Sequence, residues 1–378
     1  MSTSSETEWN LAGQLVLKIE GLDLAQCNAV QAQLDPIRPA GSTRAADVIL
    51  GSLPPFQLAE MQGPAHDRRM TAVDVDGRLL ARFGEHWMEV PPPNGDPVRI
   101  NLQAGLRLGS CWGDVVRPGM HQALRNRGCV AVHAAAVDGG VVGGTLLCGW
   151  SESGKTEVAL ALVEAGADFL SDKWTVAGQD GHISTFPIGV GVRGWVMQAL
   201  PRLQAALPTR ARAQLAASRL CRAAASPILN YKGGRLATLA TNTILHAVEL
   251  GDRAGLSPTD LRRAYGQAGD PARRSKLETV VVLVTGPTEQ VLVEDVTPEW
   301  AARRLARTAA YERRNYYNLQ ERGAYAGLPN RAGARDVMVA EEEPLLSRAF
   351  AGAARVVRVT CPFPGDPRRV VDALATHQ

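Results

Sequence analysis

The residues best able to do chemistry form one short loop, Gly149-Trp150-Ser151-Glu152-Ser153-Gly154-Lys155-Thr156. This loop satisfies the pattern G-x-x-x-x-G-K-[ST] at every defined position. Its glycines let backbone N–H groups turn inward and form a concave site for anions. The lysine would place a positive charge beside the β- and γ-phosphates, and the threonine hydroxyl would bind Mg²⁺. The loop therefore predicts binding of ATP, or another nucleoside triphosphate, together with Mg²⁺.

The segments around the loop support this interpretation. The apolar run Val141–Cys148 precedes it, and Glu157–Ala165 has helical spacing that ends at Gly166. A strand before the loop and a helix after it are the context that the motif requires, and the helix adds its positive N-terminal end. The alternative, a chance match in a glycine-rich turn, explains neither neighbour.

Three further residues are candidates for catalysis. Asp172 ends a short apolar stretch, where an acid can hold Mg²⁺ or accept the proton of a substrate hydroxyl; the alternative is a turn aspartate. His133 lies inside the apolar run Cys129–Val137, where a hydrogen-bonded core histidine is the alternative to a catalyst. Arg193 precedes Gly194, and its alternative is a solvated arginine.

Composition limits the classes of function. The 378 residues are 45% hydrophobic, enough for a large core and for two domains. A net charge of only +3 argues against dedicated nucleic-acid binding. The six cysteines form no C-x-x-C pair, which favours reduced thiols rather than a zinc site or disulfides. Neither a signal peptide nor a stretch of about 18 apolar residues is visible, so we expect a cytoplasmic protein without a membrane partner.

The pattern of strands, turns and helices predicts an α/β (α+β) protein in two parts. We expect residues 1–10 to be disordered, and residues 11–115, with short strands and turns, to form a smaller N-terminal α+β accessory domain. Alternating strands and helices predict the main domain at 116–378. Its expected elements are a hairpin made by Cys129–Val137 with Val141–Cys148, a second hairpin made by Trp174–Ala177 with His182–Phe186, and one long helix at Pro298–Leu319 capped by Thr297.

These motifs together resemble the kinase domain of HPr kinase/phosphorylase, which shares a superfamily with phosphoenolpyruvate carboxykinase. The resemblance lies in Val132-His133-Ala134, in the loop followed by Glu157, in Ser171-Asp172, and in Val192-Arg193-Gly194. It covers about residues 130–195, is only topological from 279 to 378, and is absent before about 115. It implies a P-loop kinase fold with ATP and Mg²⁺ as cofactors.

The resemblance also implies roles for the individual residues. Asp172 would be the acid/base near the acceptor hydroxyl and, with Thr156, would hold Mg²⁺. His133 would neighbour Asp172 and tune its pKa, and Arg193 would lie near the transferred phosphate. Relatives assemble into oligomers, so a homo-oligomer is also implied.

Two positions depart from the family pattern. Lys173 replaces a second aspartate, and Gly191 replaces a glutamate two residues before Arg193. Replacing two acids, one of them by a cation, would fit one Mg²⁺ rather than two, a more anionic acceptor, or a degenerate enzyme that binds nucleotide and transfers slowly. A segment without any acid, Gly181–Val248, would add a positive face beside the phosphate site or would simply be a solvated arginine-rich stretch.

Two functions of different classes follow. The first is an ATP-dependent kinase that phosphorylates a hydroxyl of a protein, a peptide or a small molecule. The second is a nucleotide-binding regulatory or scaffold protein with weak or no phosphotransfer, which Lys173 and Gly191 favour. A P-loop GTPase or motor ATPase ranks last because no N-K-x-D base signature is present.

Overall fold

The structure is a computed structural model that describes residues 7–41, 43–63, 70–217, 220 and 253–377. These residues form a mixed α/β molecule with four β-sheets, as the sequence predicts at the level of fold class. The helices are α1 (Leu24–Gln33), α2 (Arg117–Asn126), α3 (Lys155–Glu164), α4 (Pro201–Ala206), α5 (209–217), α6 (Pro258–Ala264), α7 (Pro298–Glu312), α8 (Arg314–Tyr325), α9 (Ala334–Ala351) and α10 (Pro367–Thr376). None of these helices is both long and apolar enough to cross a membrane.

The N-terminal part is an eight-stranded sheet with the order β1-β2-β3-β8-β7-β6-β5-β4. Its strands are β1 (Thr7–Leu11), β2 (Leu15–Glu20), β3 (Val48–Ser52), β4 (Leu58–Gln62), β5 (Thr71–Asp74), β6 (Leu79–Phe83), β7 (His86–Glu89) and β8 (Val98–Leu102). The expected disorder of residues 7–10 is wrong, because Trp9 and Leu11 are buried and β1 pairs with β2. Residues 1–6 lie outside the described residues.

The central sheet positions the phosphate-loop motif. Its six strands have the order β12-β10-β11-β18-β20-β19. They are β10 (Ala134–Asp138), β11 (Thr145–Gly149), β12 (Asp168–Ser171), β18 (Thr279–Thr285), β19 (Leu292–Asp295) and β20 (Arg355–Cys361). Strand β18 runs parallel to both β11 and β20, so the loops after these strands leave the sheet at one edge. The mostly apolar residues of β11 and β18 fit strands that are covered on both faces of the sheet.

The apolar run Cys129–Val137 is divided into two strands, and its second half, β10, forms the expected hairpin with β11. Strand β9 (Cys129–Val132) joins a four-stranded sheet of order β17-β14-β13-β9, whereas β10 joins the central sheet. The remaining members of that sheet are β13 (Thr175–Gly178), β14 (His182–Thr185) and β17 (Arg274–Lys276). The chain changes sheets at His133 because β9 pairs with β13 and β10 pairs with β11. The second expected hairpin is confirmed as β13 and β14.

The expected long helix at Pro298–Leu319 is two helices, α7 and α8, that meet at Arg313. Thr297 is the N-cap as predicted, and its hydroxyl accepts a hydrogen bond from Trp300 N at 3.2 Å. The break lies where the Arg313 guanidinium is drawn into the interior, 2.6 Å from Glu342 Oε1. Regular spacing in the sequence could not reveal this, since the partner lies on α9.

A two-stranded ribbon completes the described strands, and it carries Arg193. Its members β15 (Val190–Arg193) and β16 (Arg253–Leu256) are antiparallel, with Arg193 opposite Arg253. Most of the acid-free segment Gly181–Val248 that follows β15 falls on residues 218–219 and 221–252, outside the described residues. The ribbon therefore brings one arginine on each of its strands to the same end.

Candidate functional site

The loop Gly149–Thr156 connects β11 to α3, which begins at Lys155. Gly149 and Gly154 have φ values of +146° and +89°, a region that glycine adopts without strain. A side chain at Gly149 would also collide, because its Cβ would lie 2.7 Å from Ser153 Oγ. Glu152 is held at φ +62°, which is costly for a residue with a side chain and typical of functional loops. The two glycines of the motif are thus required by the backbone.

Lys155 is folded back into its own loop. Its side chain is almost fully buried, and Nζ donates hydrogen bonds to Gly149 O at 3.1 Å and to Trp150 O at 2.6 Å. Burial lowers the pKa of Lys155, and the charge of Asp172 opposes that effect. A phosphate group in the loop would offer this ammonium a stronger, charged acceptor than the two carbonyls.

Asp172 faces Thr156 at the start of α3. Thr156 Oγ1 donates a hydrogen bond to Asp172 Oδ1 at 2.9 Å, as expected for two residues that share a ligand. Asp172 is 2% exposed, its Oδ2 has no hydrogen-bond partner among the described residues, and burial raises its pKa. Ser153 Oγ in the loop is also buried and has no partner in the described part of the chain. Buried oxygens are rarely left unsatisfied, so these two atoms could each form a hydrogen bond to a bound group.

A tight turn after β12 fixes the carboxylate. Ser171 Oγ donates to Trp174 O at 2.6 Å and accepts from Phe186 N at 3.1 Å, which ties the turn to the neighbouring sheet. Lys173 occupies the left-handed region at φ +60°. This conformation costs free energy for a lysine and persists because the surroundings over-determine it.

His133 lines the same cleft as Asp172. Its Nδ1 lies 3.7 Å from Glu312 Oε1, and its ring lies 5.5 Å from that of Trp174. Burial, reinforced by Lys155 and Lys173, lowers the pKa of His133 to about 3. The expected influence of His133 on the pKa of Asp172 stays a prediction.

Arg193 lies beside two acidic residues, one in the loop and one in the first turn of α3. Its Nη2 lies 2.8 Å from Glu152 Oε1, and its Nε lies 3.9 Å from Glu157 Oε1. The guanidinium also lies 5.9 Å from the centroid of the Phe363 ring, in the loop after β20. Arg193 is therefore a paired side chain of the site rather than a solvated arginine.

The structure adds three charged residues that the motifs did not reveal. A cleft of about 290 Å³ in front of the loop is lined by His133, Asp172 and Arg193 and also by Arg117, Arg253 and Glu312. Arg117 begins α2, Glu312 ends α7, and Arg253 begins β16. These three residues lie too far along the chain from the loop for any residue spacing in the sequence to connect them with it.

The residues at the mouth of the loop fit Mg²⁺ and a polyphosphate. Mg²⁺ in nucleotide sites takes one or two protein oxygens together with phosphate oxygens and water. Thr156 Oγ1 and the carboxylate of Asp172 supply such a pair, and Lys155 supplies the cation. Within the described part of the chain, no three His, Cys, Asp or Glu side chains are grouped to hold a metal by themselves.

Comparison with known proteins names no relative. A scan against protein-family models finds no matching family, and a search of curated proteins finds no similar sequence. The relationship to HPr kinase therefore stays a resemblance carried by the motifs.

Proposed function

We propose that this chain is an ATP-dependent kinase with the fold of the HPr kinase/phosphoenolpyruvate carboxykinase superfamily, transferring the γ-phosphoryl group to a hydroxyl. The observation that carries the proposal is the contact between Thr156 and the buried Asp172 at the mouth of the glycine loop, 2.9 Å apart. It brings a metal-binding hydroxyl and an acid/base together in front of a ready-made phosphate cradle.

The side chains divide the work of transfer. The loop amides and Lys155 would hold the phosphates, and Mg²⁺ at Thr156 and Asp172 would neutralise their charge. Asp172 Oδ2, which has no partner, is free to accept the proton of the acceptor hydroxyl. The bond from the γ-phosphorus to ADP then breaks as the bond to the acceptor oxygen forms.

Burial favours this role for Asp172. A carboxylate whose pKa is raised is a stronger base than a solvated aspartate. Its pKa lies closer to neutral pH, where a general base is most effective. The surrounding walls, including Trp174 and Phe363, also restrict water as a competing acceptor.

Transfer itself is tested with γ-labelled ATP, Mg²⁺ and pools of peptides and hydroxylated metabolites. We expect label on an acceptor, and we expect Asp172→Asn to lose transfer by about 10²- to 10⁴-fold at saturating Mg·ATP, the usual contribution of a general base. Because Asp172 is also a proposed Mg²⁺ ligand, the variant should bind Mg·ATP more weakly. Asp168→Asn is the matched control, since Asp168 begins the same strand and pairs with Arg273 outside the cleft. Transfer that survives Asp172→Asn would rule out the proposed base.

Nucleotide binding is tested by calorimetry. Removing the ammonium in Lys155→Ala should weaken Mg·ATP by about 10- to 100-fold, the range for a lost charged hydrogen bond of about 1.5–3 kcal/mol. Lys276→Ala on β17 is the control and should bind like the wild type. Absence of binding heat, or an unchanged affinity in Lys155→Ala, would contradict the proposal.

The second candidate is a nucleotide-dependent regulatory protein. Lys173 and Arg253 favour it, because they put cations at the edge of the cleft where the resembling family has two acids. Two outcomes together would select the regulatory protein. Mg·ATP would bind tightly without transfer of a phosphoryl group to any acceptor, and Asp172→Asn would leave the binding of a partner protein unchanged.

A further inference from the structure

Three basic side chains converge on the cleft from separate elements. Arg117 comes from the start of α2, Lys173 from the turn after β12, and Arg253 from the start of β16. None of them forms an ion pair within 4 Å with an acidic residue of the described ranges. Arg117 Nε is buried and has no hydrogen-bond partner there. We call these three residues the basic cluster.

The other cations of the cleft are already engaged. Lys155 donates to two carbonyls of its own loop, and Arg193 pairs with Glu152 and Glu157. The remaining acids are Asp172, bonded to Thr156, and Glu312, beside the neutral His133. The lining of the cleft therefore carries five cations against four acids, and a further anion would be attracted to the basic cluster, whose members form no ion pair within the described ranges.

Gly191 explains how Arg253 reaches the cleft. A Cβ at Gly191 would lie 2.8 Å from Arg253 Cζ and 2.9 Å from Cδ, so the guanidinium fills the space that any side chain there would need. The ribbon register, with Gly191 opposite Gly255, leaves this passage open. The space beside Gly191, where the resembling family has a glutamate side chain, is therefore occupied by the side chain of Arg253.

Lys173 is held in the cleft at a cost. Its positive φ of +60° and the hydrogen bond from Trp174 N to Asp172 O at 2.7 Å fix the turn that carries it. Burial lowers the pKa of Arg117, so an anion beside its guanidinium would be favourable.

We propose that the basic cluster of Arg117, Lys173 and Arg253 binds an anionic group of the phosphoryl acceptor, a carboxylate or a phosphate close to the reacting hydroxyl. This inference rests on the proposed kinase function and names its class of substrate. Lys173 follows Asp172 directly, so an anion held there would bring its neighbouring hydroxyl beside the proposed base. Three cations would also favour encounter with a negatively charged acceptor.

The test uses the full chain saturated with Mg²⁺ and the non-hydrolysable analogue AMP-PNP, so that the phosphate loop is occupied. Inorganic phosphate and, separately, malonate are titrated into this complex by calorimetry. We expect one additional anion to bind, and the stronger of the two probes identifies a phosphate or a carboxylate as the recognised group. Failure of both probes to bind at millimolar concentration would overturn the inference.

Variants locate the binding site. The affinity for the anion should fall at least tenfold in each of Arg117→Gln, Lys173→Gln and Arg253→Gln. Arg274→Gln should leave the affinity unchanged, because Arg274 is engaged in an ion pair with Asp180. Gly191→Ala changes no charge but occupies the seat of Arg253, so it should weaken the anion as well. Lys173→Arg should restore binding, and circular dichroism checks that each variant is folded. Unchanged affinity in all three cluster variants would refute the assignment.

The same titrations separate this inference from the proposed function. Binding of Mg·AMP-PNP reports the phosphate loop, and the second anion reports the basic cluster. If the analogue does not bind, phosphate is titrated into Lys155→Ala, where the loop has lost its ammonium. Binding that then disappears in Lys173→Gln supports the cluster independently of the kinase proposal, and binding that does not disappear contradicts it.

Discussion

His133 shows how burial decides what a single side chain can do. Its side chain is 11% exposed, and its Nδ1 has no hydrogen-bond partner among the described residues. The pKa of about 3 keeps the imidazole neutral at neutral pH, the form that can accept or donate one hydrogen bond but carries no charge. We expect it to contact the acceptor or Glu312 rather than to act as a general acid.

A pH titration of stability tests this state. The pKa of His133 is lower in the folded chain than the 6.5 of a free histidine, so only the unfolded chain gains the proton between about pH 6.5 and 3. Its contribution to stability is complete above that window and falls by up to about 1.4 kcal/mol per pH unit as the pH decreases. His133→Gln should flatten this part of the curve in urea unfolding. A slope between about pH 6.5 and 3 that stays the same in His133→Gln would show that burial does not lower the pKa of His133 in the folded chain.

The meeting point of α7, α8 and α9 is held by a buried ion pair. Arg313 Nη1 lies 2.6 Å from Glu342 Oε1, Nη2 donates to Ala131 O at 2.9 Å, and Nε donates to His121 Nδ1 at 3.1 Å. Ala131 lies on β9, two residues before His133. Glu312, the last residue of α7, directly precedes Arg313. The pair therefore supports two residues that line the cleft.

Breaking this pair should be costly. Glu342→Gln leaves the Arg313 charge buried without a counter-ion, which destabilises proteins by about 3–5 kcal/mol. Glu343→Gln, one residue along α9, removes a half-exposed pair with Arg303 and should cost about 0–1 kcal/mol. Urea unfolding of both variants measures the difference, and equal stabilities would show that the buried pair contributes nothing.

The N-terminal sheet shares its core with the C-terminal helices. One hydrophobic cluster includes Trp9 and Leu50 from the sheet together with Tyr316 and Met338 from α8 and α9. Arg331 adds buried hydrogen bonds to Val90 O at 3.1 Å and to Pro91 O at 3.3 Å. The two parts therefore do not have separate interiors.

Removal of the N-terminal part should destabilise the remainder. A fragment of residues 116–378 would expose the apolar faces of α8 and α9, so we expect it to aggregate or to bind a hydrophobic dye, and to lose Mg·ATP binding. The full chain should unfold in one transition in urea. A monomeric fragment that unfolds cooperatively and binds nucleotide would show that the main part folds alone.

Local elements were predictable where one segment carried the whole signal. Strands β13 and β14 form the second expected hairpin, and Thr297 caps α7 as predicted. The prediction failed where a distant partner decides the outcome: Trp9 is ordered because β1 pairs with β2, the strand at Cys129–Val137 divides between two sheets, and the helix breaks at Arg313. Propensity is a weak guide in such places because tertiary contacts override it.

The sequence by itself determined that Gly149–Thr156 is a candidate phosphate loop, because a loop of backbone amides needs only glycines, a lysine and a hydroxyl within eight consecutive residues. It also paired Asp172 with Thr156 as candidate ligands of Mg²⁺, and the two side chains share a hydrogen bond of 2.9 Å. Only the tertiary structure decided that His133 is neutral and that Arg117, Lys173 and Arg253 meet in one cleft. Burial and charge at that cleft depend on side chains from four distant elements, and spacing along the chain carries no record of such a meeting.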